Sequence, residues 1–147
     1  MSIYNHILVA IDFSAAAEQV LKKAQAIATR DKARLSLLHV VEYLPPIDYL
    51  NDSLMDITWV TEEKVMLEHA RDTMQKFGKK HGLESDQLNV ELGTPKHEIS
   101  RFVEEQHCDL VVLGSHGRHG ISLLLGSTAN AVLHDMPCDI LTVKIEK

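Results

Sequence analysis

The sequence predicts a single α/β domain: an open, parallel, five-stranded sheet with helices on both faces. Three observations carry the class assignment. Short continuous apolar runs recur along the chain, and a strand covered on both faces of a parallel sheet needs such a run rather than alternation. Between the runs, apolar residues fall at three-four spacing, the mark of an amphipathic helix. No linker, repeat or low-complexity tract divides the 147 residues, a length that suits one domain of roughly 100–200 residues.

The first strand is read at residues 7–11, closed by Asp12-Phe13-Ser14. From Ala17 the apolar positions Val20, Leu21, Ala24, Ile27 and Ala28 form one helical stripe, with Ser14 placed to cap it. Residues 35–41 give the second strand. The stretch after it holds Pro45-Pro46, Asn51 and four acidic residues and is read as a long irregular loop. A second helix is expected from about Thr61 to His81, burying Leu67, Ala70, Met74 and Phe77, with Gly82 ending it. The third strand is read at residues 88–92.

Thr94-Pro95 signals the next helix start, since threonine can cap free N–H groups and proline lacks a donor where none is needed. Ile99, Phe102 and Val103 give that helix its inner face. The fourth strand is read at residues 109–113. A fourth helix is expected after Gly126 through Ala129, Val132 and Leu133, stopping at Met136-Pro137, and residues 140–145 make the fifth strand. Strict β-α alternation calls for right-handed crossovers and parallel pairing.

Composition narrows the function. A net charge of -6 argues against a nucleic-acid or anionic-membrane partner, because both need a basic face. No apolar run approaches the roughly 20 residues of a membrane span, and the start lacks a basic region followed by an apolar one, so a cytoplasmic protein is expected. Cys108 and Cys138 are too few for a disulfide framework; they are expected to lie near each other, reduced, at the sheet end opposite the glycine turn described next. His116 and His119 are spaced i, i+3, but no further ligands accompany them, so no metal site is expected.

In an open parallel sheet the ligand sits beyond the carboxyl ends of the strands where strand order reverses, here between strands 1 and 4. That points to Ala10 and Asp12 at one strand end and Leu113 and Gly114 at the other. Gly114-Ser115-His116-Gly117 follows strand 4, and Gly126-Ser127-Thr128 opens the next helix. Glycines let backbone N–H groups approach a phosphate, and a helix start adds free donors and partial positive charge. From Gly114 through His134 there is no aspartate or glutamate, while Arg118 lies inside the loop, so the segment is locally positive and favours an anion. The Gly-Lys-Ser/Thr of a P-loop and the dinucleotide fingerprint are both missing.

The run from Ile7 to Ser14, the strand end His39-Val40, and Val112-Leu113-Gly114-Ser115-His116-Gly117-Arg118 leading to Gly126-Ser127 together resemble the universal stress protein family over nearly the whole chain. That resemblance implies the 3-2-1-4-5 sheet, a homodimer commonly made through the last strand, and, in one branch, ATP held with magnesium. It implies phosphates at Gly114, Gly117, Gly126 and Ser127, with Asp12 and Val40 at the nucleoside end. Between Gly117 and Gly126 lie eight residues, one fewer than the family's ATP-binding pattern. Two readings stay open: a loop that wraps phosphate by adjusting around Gly120, or one tightened into an empty corner.

Asp12 likewise has two readings, as a ligand group for a metal–phosphate complex or a ribose hydroxyl, or as a cap of the helix that follows. With no phosphate-loop lysine and no convincing base, a main role in catalysis is not expected. The function expected is a dimeric regulatory module binding an adenine nucleotide and unknown protein partners. The alternative is an interaction module of the same fold that binds no nucleotide.

Overall fold

The structure, a computed structural model, describes residues 2–42, 53–115 and 136–145, with the backbone path alone for 53–61. Eight principal elements follow in order: β1 (His6–Ala10), α1 (Ala17–Asp31), β2 (Arg34–Val41), α2 (Ser53–Lys80), β3 (Leu88–Leu92), α3 (Pro95–Gln106), β4 (Leu110–Gly114) and β5 (Asp139–Val143). A 3-10 turn, Ser85–Gln87, precedes β3. The strands form one parallel sheet in the order β3-β2-β1-β4-β5, as the family resemblance implies.

The apolar runs do what their composition requires. β1 and β4 are buried along their whole length, because each lies between two strands and under helices on both faces. On one face Ile7, Val9 and Leu37 pack with Val20, Leu21 and Ala24 of α1 and Met74 of α2. On the other face Leu8, Leu38 and Val111 pack with Ile99 and Val103 of α3. Alternate residues of one strand thus feed opposite cores, as the two-residue period of a strand dictates.

Three expectations need correction. Helix α2 begins at Ser53 and not near Thr61. The break signalled by Pro45-Pro46 does not reach residues 53–60, which contain no glycine or proline and include the good helix formers Leu54 and Met55. Ser14 does not cap α1 with its side chain: Ala16 occupies the cap position, and Ser14 contributes its carbonyl, 3.0 Å from the Ala17 amide. Thr94 does stand before Pro95 at the start of α3, but its hydroxyl makes no cap bond. Proline at the first position has already removed one donor needing a partner. The expected helix after Gly126 lies outside the described residues.

Candidate functional site

Following β1 upward from its middle, the ladder with β2 runs from His6↔Arg34 to Ala10↔Leu38. Ile11 makes the last rung, its amide donating to the Leu38 carbonyl at 3.0 Å. Its own carbonyl accepts from Nδ1 of His39 at 2.8 Å, so that nitrogen carries the ring hydrogen. Both backbone groups of Ile11 are therefore held by β2, and the chain turns off the sheet at Asp12. There the Asp12 carboxylate accepts the Ser14 amide at 3.0 Å, closing a three-residue side-chain turn.

Strand β2 continues past this departure to Val41. A parallel strand presents the N–H and C=O of alternate residues to the same neighbour. Leu38 uses its carbonyl toward β1; Val40, two residues on, turns its own pair to that same side, where β1 has left. A small cleft of about 10 Å³ opens there. Ala10, Leu38 and Ile99 form its apolar floor, Pro95 at the start of α3 its wall, and Ile11, Asp12, His39 and Val40 its rim.

The structure thus brings together three residues singled out from the sequence, Ala10, Asp12 and Val40, at the carboxyl ends of β1 and β2. Asp12 closes the turn that leaves β1 and lines the cleft, and it does not cap α1, whose cap position is held by Ala16. Leu113 and Gly114 lie one strand over. The register Val9↔Val112 sets Leu113 beside the top of β1, buried in the same core cluster as Ala10. Gly114 is still strand, paired with Val143, and its φ is not positive, so no unusual backbone angle explains a glycine there. Ser115 ties the two strand ends together: its amide donates to the Val143 carbonyl at 2.8 Å and its hydroxyl oxygen accepts the Ile145 amide at 3.1 Å. Gly117, Arg118, Gly126, Ser127 and Thr128, with His116 and His119, lie outside the described residues.

Sequence reading missed His39 and the α3 residues Pro95 and Ile99 as parts of the cleft. His39 could have been found, because an ionisable residue among the apolar residues at a strand's carboxyl end is where ligands bind in such sheets. Pro95 and Ile99 gave no such signal. Among the described residues, no group of three or more His, Cys, Asp or Glu side chains is placed to hold a metal. Nor is any helix there long and apolar enough to cross a membrane.

Comparison with known proteins agrees with this architecture. Residues 3–144 match the model of the universal stress protein family. Universal stress protein A homolog 2 of Coxiella burnetii is 37% identical over 147 residues, covering 99% of each chain. Among solved structures, a universal stress protein UspA from Lactobacillus plantarum superposes with a TM-score of 0.73 at 27% identity, covering 97% of this chain and 99% of that one. A second, a universal stress protein in complex with cAMP, is similar in fold, with a TM-score of 0.54 at 22% identity over 97% of this chain and 98% of that one.

Proposed function

This chain belongs to the universal stress protein family, and on that premise we propose that it binds an adenine nucleotide in the cleft beside β1 and acts as a dimeric regulatory module. One observation carries the reading. The Val40 backbone pair faces the side of β2 that β1 has vacated, above an apolar floor of Ala10, Leu38 and Ile99. A flat heteroaromatic ring with adjacent donor and acceptor matches such a strand edge, and the apolar floor suits its face. Asp12 on the rim suits a sugar hydroxyl. The protein solved with cAMP shows an adenine nucleotide bound by a member of this fold.

Phosphates would extend from this end toward the residues after Gly114, where the chain has glycines, Arg118, Ser127 and Thr128 and lacks acids. Magnesium would enter only with them. The module works by occupancy rather than turnover: a ligand that favours one arrangement of the 114–127 segment shifts the population toward it and alters the surface offered to partners. β5 closes one edge of the sheet, and Leu141 on it is exposed. Pairing with the same strand of a second copy would satisfy that edge and produce a two-fold dimer in the cytoplasm.

The test is calorimetry with ATP and magnesium, after extraction of the purified protein for co-bound nucleotide. Saturable heat that disappears in Gly117→Val and Gly126→Val supports the reading. The eight-residue spacing between Gly117 and Gly126 favours a second reading, an interaction module without nucleotide. No heat at millimolar ATP from a protein that light scattering shows to be dimeric would select it. Product accumulating over many turnovers would instead make the chain a hydrolase.

A further inference from the structure

Three non-glycine residues among those described have a positive φ: Lys32 at 55°, His107 at 56° and Phe13 at 61°. The first two occupy the C-caps of α1 and α3, where a left-handed residue is the ordinary way for a helix to end. Phe13 stands at no helix end. It sits between Asp12 and Ser14, in the turn that leaves β1, and a bulky aromatic residue is unfavourable there for its backbone alone. Asn, Asp or Gly would adopt this angle at lower cost. Such backbone persists only when the surroundings determine it, and it concentrates at functional sites.

The surroundings are visible. The Phe13 ring lies on His39, with centroids 4.3 Å apart and planes tilted by 40°. It meets the ring of Phe77 on α2 edge-on at 6.3 Å. Each neighbour is itself fixed: His39 by its bond to the Ile11 carbonyl, and Phe77 by a second ring contact, 4.6 Å from His81. A row of four rings therefore runs from β2 to α2, with Phe13 inside it. The row holds the left-handed residue, which in turn sets the direction of Asp12.

Resting on the nucleotide reading above, we infer that Phe13 is a positioning residue: its ring, clamped between His39 and Phe77, holds the strained turn that aims the Asp12 carboxylate at the sugar of a bound nucleoside. Phe13 need not touch the ligand. Its effect belongs to the nucleoside end and leaves phosphate contacts alone, which separates it from a residue that merely supports the fold.

The experiment compares the full-length wild type with Phe13→Ala, Phe13→Tyr and Phe77→Leu, using ATP with magnesium, adenosine, and inorganic tripolyphosphate as probes. Phe13→Ala should weaken ATP and adenosine by the same factor, on the order of 10- to 100-fold for a carboxylate misplaced by about an ångström. Tripolyphosphate affinity should not change, and Phe13→Tyr should restore wild-type binding. Amide exchange in the absence of ligand supplies a second readout: the Ser14 N–H, bonded to Asp12, should exchange faster in Phe13→Ala while core amides of β1 stay protected. If Phe13→Ala does not fold, Phe77→Leu, which removes only the outer clamp, should show the same pattern at smaller size. Unchanged adenosine affinity in a folded variant, or equal weakening of all three probes, overturns the inference while leaving nucleotide binding intact. A wild type that binds neither ATP nor adenosine overturns the nucleotide reading itself, and the hold of Phe13 on the turn is then decided by the Ser14 amide alone.

Discussion

The two ends of the sheet are built on opposite plans. At the amino ends polar groups are closely matched. The amides of Ile3 and Tyr4 donate to the Asp31 carboxylate, and those of Asn5 and His6 donate to the two oxygens of Asp109 at 2.8 and 3.0 Å. The buried His6 ring is engaged at both nitrogens, by the Gln106 carbonyl at 3.0 Å and the Ser36 hydroxyl at 2.8 Å. Two free thiols complete this end: Cys108 and Cys138 share the α3-side core. At the carboxyl ends lie a left-handed phenylalanine, a positive-φ glycine at Gly93, and a cleft between strands that part company. The difference teaches that one end secures the chain with matched polar groups, while the other holds left-handed backbone around a cleft, at some cost in stability.

The largest test of that contrast is Asp109→Ala. It strips the acceptors from two backbone amides where the chain enters β1, one of them part-buried, and should destabilise the protein by about 2 kcal/mol without changing affinity for any ligand of the cleft. Urea unfolding beside calorimetry checks both halves; a change in affinity at unchanged stability would break the division between the ends.

Gly93→Ala probes the other end. Gly93 has φ of +151°, and an added Cβ would lie 3.0 Å from the Cγ and Oε1 atoms of Glu98. Glu98 is buried beside Arg101, so it has little room to yield. We expect a loss of about 1–2 kcal/mol from strain and crowding, read by thermal unfolding. Because Gly93 donates to the Val41 carbonyl just beyond Val40, ligand affinity should fall as well.

Acid should act through the secured end. Burial holds the His6 pKa below its ordinary 6.5, with the Gln106 carbonyl and Asp109 opposing that shift and Arg34 adding to it. The unfolded chain then takes up a proton before the folded one does. Stability from this group is complete above about pH 6.5 and declines as the pH falls below it, until the folded form is protonated too. A ring resonance of His6 with a midpoint at or above 6.5 would contradict this. Asp31 acts at lower pH. Its bond from Arg30, together with the Tyr4 and Ile3 amides, brings it from 3.8 to about 2, so its contribution is present above 3.8 and is lost as the pH falls through about 2.

The smallest effect concerns the thiols. Burial pushes Cys108 up to about 12, with neighbouring Cys138 adding to it, and pushes Cys138 up to about 11. Both should be alkylated slowly at neutral pH in the folded protein and rapidly once it is unfolded, since the thiolate is the reactive form.

Legibility in the sequence followed the range of the interactions. β3 was placed at Leu88–Leu92 without error, because a strand bounded by turn signals is a local pattern. The start of α2 was misplaced by eight residues, since prolines announce a break but not where the chain resumes. Asp12 and Val40 were reached through resemblance and the rule of strand ends; Phe13 was seen only as part of a turn. Nothing local announces that a phenylalanine will take a left-handed angle.

Apolar runs, helical stripes and β-α alternation determined by themselves the class, the parallel pairing and the sheet end on which a ligand would sit, since those follow from burial patterns written along the chain, while the full strand order was reached through the family resemblance. Only the tertiary structure decided that β1 leaves the sheet before β2 does, opening the cleft, and that rings from β2, the first turn and α2 close on one another. Those depend on residues as far apart as Phe13 and Phe77, whose meeting is set by how the layers pack and not by any neighbour in sequence.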